Sequence, residues 1–298
     1  MVISVSRRCD IPRFAFDWFL ERLNEGFVDV KNPFNANQVK RVSLLPASAG
    51  APQAGGGAEV FAFWTRDPAY ILDNTEALEK RGCAFYVMTT LTGYPAILEP
   101  NAPPPEAVIQ TLQKLAKRIT PDKVIWRYDP VFLSNITNFE FHRLNFSKIA
   151  ARLSGSVKRV IVSLYDEYSR AEKRLAVLEQ KSLLERIDLG GTGSRDFNQG
   201  GSRELLTELR ELLADMAGIA LREGMEIQSC AEELSDCGIV SGACIDAEYL
   251  GRLFYPKFTG KTALEKDPGQ RSGCRCVQSI DIGSYGRCSS GCVYCYAS

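Results

Sequence analysis

The sequence predicts an α/β protein built as a (β/α) TIM-like barrel. Three observations predict it. Short apolar runs alternate with helical stretches along the 298 residues, most of the runs are continuously apolar, and polar residues gather where the runs end. Strand–helix alternation implies parallel strands joined by crossover helices, and the number of units favours closure. A continuously apolar strand is expected where both faces of a sheet are covered. A barrel of about 250 residues fits within the chain.

The strand candidates, in order, are 3–7, 27–32, 60–66, 85–92, 123–129, 159–166, 226–230 and 279–283. Between them the spacing predicts helices at 14–25, 68–81, 105–119, 141–153, 168–184, 203–223 and 247–254. Gly26, Gly82 and Gly224 stand where helix ends favour a left-handed residue. Asp67-Pro68 and Asp129-Pro130 end strands, since proline is welcome in a first helical turn. Two Gly/Ala/Ser-rich segments, 46–58 and 189–201, are expected to be loops inserted at the surface. Residues 1–270 are expected to form the barrel, and 271–298 a cysteine-rich segment packed on its mouth.

Lys+Arg and Asp+Glu balance at 36 each, so no global positive field draws the chain to nucleic acid. The N-terminus lacks the apolar core of a signal peptide, and no apolar run approaches the ~18 residues of a membrane span. A cytosolic protein is expected. In a reducing cytosol, ten cysteines argue for metal or catalysis over disulfides. A single histidine, His142, removes Ser-His-Asp chemistry and His-rich metal sites. It lies in a helical stretch and reads as a surface residue. No G-x-G-x-x-G or P-loop is present.

In a barrel every strand's C-terminal end opens on one face. Arg7, Arg8, Arg66 and Arg127 follow strands, which suits an anionic ligand held by forked donors. Arg127, Asp129, Arg7 and Arg8 are the candidate catalytic residues, with Trp64 and Trp126 available to stack on a ring or to fill the core. Cys9, beside Asp10, is a candidate reactive thiol at the mouth; Cys83 and Cys237 read as core residues.

The most informative stretch is Cys288-Ser-Ser-Gly-Cys292-Val-Tyr294-Cys295, a C-x3-C-x2-C pattern with an aromatic residue before its last cysteine. Three thiolates can hold three irons of a 4Fe-4S cluster and leave the fourth open. Closely spaced cysteines also build zinc sites. The motif resembles the cluster loop of the radical S-adenosylmethionine (SAM) enzymes. That resemblance implies a SAM-binding 4Fe-4S cluster on Cys288, Cys292 and Cys295 and generation of a 5′-deoxyadenosyl radical. It also implies Tyr294 near the adenine, Glu232 near the SAM amino group, and Arg66 among the cofactor contacts. In that superfamily the loop follows the first strand. Here it follows the last, which implies a circularly permuted barrel in which 279–283 lies beside 3–7.

A wider resemblance rests on Ser6-Arg7-Arg8-Cys9-Asp10-Ile11-Pro12, Lys31-Asn32-Pro33, Phe63-Trp64-Thr65, Thr90-Leu91-Thr92-Gly93-Tyr94 and Val124-Ile125-Trp126-Arg127-Tyr128-Asp129-Pro130. It continues through Cys230-Ala231-Glu232, Cys274-Arg-Cys276 and Ser279-Ile280-Asp281-Ile282-Gly283. These stretches resemble an uncharacterised bacterial family, a domain of unknown function with a cysteine-rich C-terminus, in which threonine is usual where Cys9 stands here. Cys230, Cys244, Cys274 and Cys276 match its pattern and number enough for a second, closed site, either 4Fe-4S or zinc. The expected function is a radical SAM-type enzyme acting on an anionic small molecule or nucleotide, served by a low-potential electron donor. The alternatives are a non-radical iron–sulfur redox protein and a zinc-stabilised barrel.

Overall fold

The structure, a computed structural model, describes residues 1–33, 35–46, 57–189, 202–254, 265–271 and 273–297. The segments expected as loops at 46–58 and 189–201 lie almost wholly outside the described residues.

Eight parallel strands form the main sheet. In chain order they are β1 (Val2–Val5), β4 (Val60–Thr65), β5 (Phe85–Thr90), β6 (Val124–Val131), β7 (Arg159–Leu164), β8 (Glu226–Cys230), β9 (Val240–Gly242) and β10 (Ser279–Asp281). The spatial order is β10-β1-β4-β5-β6-β7-β8-β9. The pairing expected between 279–283 and 3–7 is present, with Val2 opposite Ser279 and Ser4 opposite Asp281.

The sheet departs from the expected barrel in not being closed: β9 and β10 are its edges. Each edge strand has three residues, too short to carry a ladder round to the other. The segments beside them do meet, through a hydrogen bond from Val277 N to Ile245 O at 3.0 Å.

The run at 27–32 is not a strand of this sheet. It is β2 (Phe27–Asn32), paired antiparallel with β3 (Asn35–Ser43) in a separate ribbon. The physical reason is legible in its alternation. Val28 and Val42 face each other and are buried, while Asp29 and Arg41 form an ion pair on the exposed side at 2.8 Å. Such alternation marks a strand with one wet face.

Side-chain alternation along the main strands serves two apolar layers. Ile3, Val5, Phe61, Phe63, Phe85, Val87, Val124, Trp126, Val160 and Val162 pack in the larger core with the crossover helices. Val2, Val60, Ala62, Trp64, Tyr86, Met88, Ile125 and Ile161 point the other way. They meet Ala243–Ile245, the cysteines 230, 244, 274 and 276, and Tyr249, Leu250 and Phe254 of α9 (Ala247–Phe254).

The first helical stretch divides into α1 (Ile11–Phe14), capped by Asp10, and α2 (Phe16–Glu25), which ends on left-handed Gly26. The predicted helix at 68–81 divides at Asn74 into α3 (Ala69–Asp73) and α4 (Thr75–Lys80). The remaining crossovers are α5 (Pro105–Ile119), α6 (Phe139–Leu153), α7 (Ser169–Gln180) and α8 (Arg203–Arg222). Asn138 caps α6 by accepting from Phe141 N, and Ser202 caps α8 in the same way from Leu205 N.

His142, expected at the surface, is fully buried on α6. Its Nδ1 meets the Tyr128 hydroxyl at 2.9 Å and its Nε2 the Phe132 carbonyl at 3.1 Å. Among the described residues no helix is long and apolar enough to cross a membrane.

Candidate metal and substrate site

Because the main strands are parallel, their C-terminal ends share one edge of the sheet, where ligands of open α/β folds bind. The organising residue on that edge is Asp281, at the end of β10. It accepts from Ser4 Oγ at 2.9 Å, Arg7 N at 2.7 Å and Gly283 N at 3.0 Å, and also from Ser6 Oγ. Arg7 and Arg8 lie near its carboxylate at 3.9 and 3.8 Å. One carboxylate thus fixes the turn carrying both arginines. Gly283 is required beside it, since a Cβ there would lie 2.1 Å from Ser6 Oγ and 2.8 Å from Cys9 Sγ.

Trp64, at the end of β4, has a guanidinium on each of two sides, Arg127 at 4.9 Å and Arg7 at 5.8 Å from its ring. Arg127 is paired with Asp129, which also accepts from Ser163 Oγ at 2.5 Å. Arg7 is tied to Ser279 Oγ at 2.6 Å. Three buried donors in this group, Arg7 Nη1, Trp64 Nε1 and Arg127 Nε, have no hydrogen-bond partner among the described residues. A buried N–H without a partner costs about 1–3 kcal/mol, and three on neighbouring side chains mark a place where an acceptor belongs.

On the other side of Arg7, Tyr294 is buried and stacked on Phe132 with ring centroids 6.1 Å apart. Its hydroxyl donates to Glu99, which also accepts from Thr92 and pairs with Arg66 at 3.0 Å. Arg66 donates to the Tyr294 oxygen as well. Burial works against the Arg66 cation, but Tyr294, Glu99, Cys292 and Cys295 around it hold it protonated.

This network anchors the three-cysteine loop. Further ties come from Val293 N to Leu98 O at 3.0 Å, Asn101 Nδ2 to Ser289 O at 2.9 Å, and Arg174 Nε to Val293 O at 3.0 Å. Cys292 is buried, whereas Cys288 and Cys295 are half-buried. Burial pushes the Cys292 thiol up to about 11, opposed by Arg66 and reinforced by Glu99, Cys295 and Cys288. Tyr296 reaches back from this loop, its hydroxyl donating to Arg7 O at 2.7 Å.

Cys230, Cys244, Cys274 and Cys276 come together on the sheet face opposite the main helices. Cys244 Sγ lies 3.6 Å from Cys230 Sγ, Cys276 N donates to Cys274 Sγ at 3.4 Å, and Ile245 N donates to Cys276 Sγ at 3.4 Å. With Cys274 and Cys276 packed in the same buried cluster, the four make a compact ring of cysteines. The four titrate together. Hydrogen bonds from Cys230 favour thiolate at Cys244 and Cys274, while Cys230 and Cys276, bonded to Cys244, are held as thiols. Among the described residues no set of three or more His, Cys, Asp or Glu side chains is already arranged to hold a metal ion.

Glu232 sits beside this ring. Its Oε1 accepts from Leu164 N at 3.2 Å, and its Oε2 has no partner among the described residues. Burial raises its carboxyl well above the usual range, and Cys244 and Cys274 add to that rise. A cavity of about 390 Å³ opens here, lined by Glu232, Glu233, Lys266, Gly273, Cys274 and Arg275 among others.

The candidate residues thus fall into two neighbouring groups. Arg66, Tyr294, Cys288, Cys292 and Cys295 form one; Arg127, Asp129, Glu232 and the four-cysteine ring surround the other, with Arg7 between them. Arg8 lies to the side, over the Tyr285 ring at 5.7 Å. Cys9 is buried and its thiol raised by that burial, unlike a reactive cysteine. Cys83 and Cys237 are buried. Sequence reasoning missed the organising roles of Asp281, Glu99 and Tyr296. Asp281 carried a signal, standing at a strand end among Ser-Ile-Asp-Ile-Gly; Glu99, in an irregular loop, carried none.

The chain belongs to the family described as Domain of unknown function (DUF1848), whose model matches residues 2–297. A search of curated proteins found no match.

Proposed function

We propose that the protein is a radical SAM-type iron–sulfur enzyme acting on an anionic small molecule or nucleotide. The observation that carries this reading is the placement of the C-x3-C-x2-C loop. It follows β10, at the C-terminal ends of the parallel strands, where Tyr294 is tied to Arg66 and the Tyr296 hydroxyl donates to Arg7 O. The last strand, next to β1, would then be the cluster strand of a circularly permuted barrel.

The residues suit the cofactor. Three soft thiolates leave one iron open, and the Arg66 cation offsets their charge. With SAM bound and one electron from a low-potential donor, such a cluster supplies a 5′-deoxyadenosyl radical. Cys288, Cys292 and Cys295 would hold it. Tyr294, fixed by Glu99 and Arg66, positions the loop that carries them. Arg7, Arg127 and Trp64 would bind an acidic substrate through forked and single N–H donors. Asp129 holds Arg127 in place, and Arg8 guards the outer side of the turn. The setting for this chemistry is the cytoplasm.

The test is anaerobic reconstitution of the full chain with iron and sulfide, reduction with dithionite, and assay of SAM for 5′-deoxyadenosine. Cleavage is expected, and Cys292→Ala is expected to abolish it. Arg127→Ala should weaken use of the true substrate more than uncoupled SAM cleavage. A reconstituted cluster that leaves SAM intact would move the assignment to the second reading, a non-radical iron–sulfur redox protein, which the same three cysteines would serve.

A further inference from the structure

We infer that Cys230, Cys244, Cys274 and Cys276 bind a single tetrahedral, thiolate-preferring metal ion of the zinc class, and that this ion clasps the two edges of the open sheet. The inference is independent of what the three-cysteine loop holds.

The spacing of the sulfurs carries the argument. Thiolates 2.3 Å from a tetrahedral zinc stand about 3.8 Å apart. Cys230 and Cys244 Sγ are already 3.6 Å apart, and Cys274 and Cys276 pack in the same buried cluster. A slight shift of the sulfurs makes room for one ion. A 4Fe-4S cube binds its thiolates at its corners and holds them much farther apart. Its atoms would also have to displace Tyr86, Ile161, Ala243 and Ile245, which pack in the same layer.

The surroundings are those of a built site. Backbone N–H groups of Ile245 and Cys276 donate to sulfurs, as amides that steady metal-bound thiolates do. Ala231 adopts a left-handed φ of 83° directly after Cys230. Its carbonyl leaves no room for a side chain at residue 273, where a Cβ would lie 2.2 Å from Ala231 O. The glycine lets the Cys274–Cys276 hairpin lie against the Cys230 turn. The cavity that reaches Cys274 and Glu232 provides an entry path.

The four ligands come from both edges of the sheet. Cys230 ends β8, Cys244 follows β9, and Cys274 and Cys276 precede β10. In the chain as described, one backbone hydrogen bond, Val277 to Ile245, joins those segments. A bound ion would add four bonds to that seam.

The test uses the full chain carrying Cys288→Ala, Cys292→Ala and Cys295→Ala, so that any metal left belongs to the four-cysteine ring. After anaerobic purification and exposure to Zn²⁺ it is expected to retain one zinc per chain and no acid-labile sulfide. Replacement by Co²⁺ should give the intense visible bands of tetrahedral thiolate coordination. Adding Cys274→Ser and Cys276→Ser should remove the ion and lower Tm. Equal iron and sulfide in the first variant would overturn the inference, as would a metal-free chain with a Cys230–Cys244 disulfide. Should that variant fail to fold, alkylation of the unmodified chain gives the same decision. Zinc is expected to protect these four cysteines together, and their labelling at an unchanged rate would refute the site.

Discussion

Asp281 accepts the backbone N–H of Arg7 at 2.7 Å, joining residues 274 apart in sequence. With Ser4 and Ser6 also donating to it, this carboxylate holds the β1–β10 seam at its C-terminal end. Asp281→Ala strands two buried hydroxyls, takes from Arg8 its nearby carboxylate and leaves Arg7 with Asp267 at 3.4 Å. A loss of about 3 kcal/mol is expected in chemical denaturation. Asp281→Asn, which keeps the acceptor geometry on one side, should lose less.

Two glycine substitutions should differ in sign. Gly283→Ala places a methyl group against Ser6 Oγ and Cys9 Sγ and should cost about 1–3 kcal/mol as overpacking. Gly251 lies within α9 with nothing within 4 Å of a built Cβ. Gly251→Ala should stabilise by about 0.5–1 kcal/mol, because alanine is the better helix former. Paired Tm measurements read both effects.

Burial holds the His142 imidazole down at about 4, below its ordinary 6.5. The unfolded chain therefore takes up this proton first, and the folded state loses stability as pH falls from about 6.5 to 4. The full contribution is present above that window. Asp10, raised to about 6 by burial, works in the opposite direction over part of it. Comparison with His142→Gln at each pH isolates the histidine. The wild-type protein should lose roughly 3 kcal/mol relative to the variant between pH 7 and pH 4.

Tyr294→Phe keeps the ring against Phe132 and removes only the hydroxyl shared with Glu99 and Arg66. The expected cost is about 1–2 kcal/mol. Limited proteolysis should show cleavage confined to the loop around Cys292. Unchanged protection would mean that backbone ties such as Val293 to Leu98 hold the loop without the network.

Much of the fold was legible because buried parallel strands are written as unbroken apolar runs. Val60–Thr65 and Arg159–Leu164 are buried along their whole length. The pairing of 279–283 with 3–7 was legible too, because the chemistry at both strand ends demanded one mouth. The ribbon at Asn35–Ser43 was not, since a strand outside the core carries no apolar run to mark it. Nor was β9, whose three residues need neighbours to define them. His142 misled because periodicity places it on a helix but does not say which face looks inward. In the site, residue types at strand ends were readable. Which side of the sheet each cysteine group occupies depends on tertiary path, which residue types at strand ends do not record.

The place of β10 in the chain sets an order of manufacture. Its partner β1 is translated earlier, and at about 5–20 residues per second β10 follows roughly tens of seconds later. During that interval β1 can pair only with β4, and its other flank waits. Cys274, Cys276, Cys288, Cys292 and Cys295 are translated in the same late stretch. The nascent chain thus makes the rest of its scaffold before most of its candidate ligands exist. Metal delivered early would meet Cys230 and Cys244 at most, so loading is expected only after β10 and the stretch that follows it have been made.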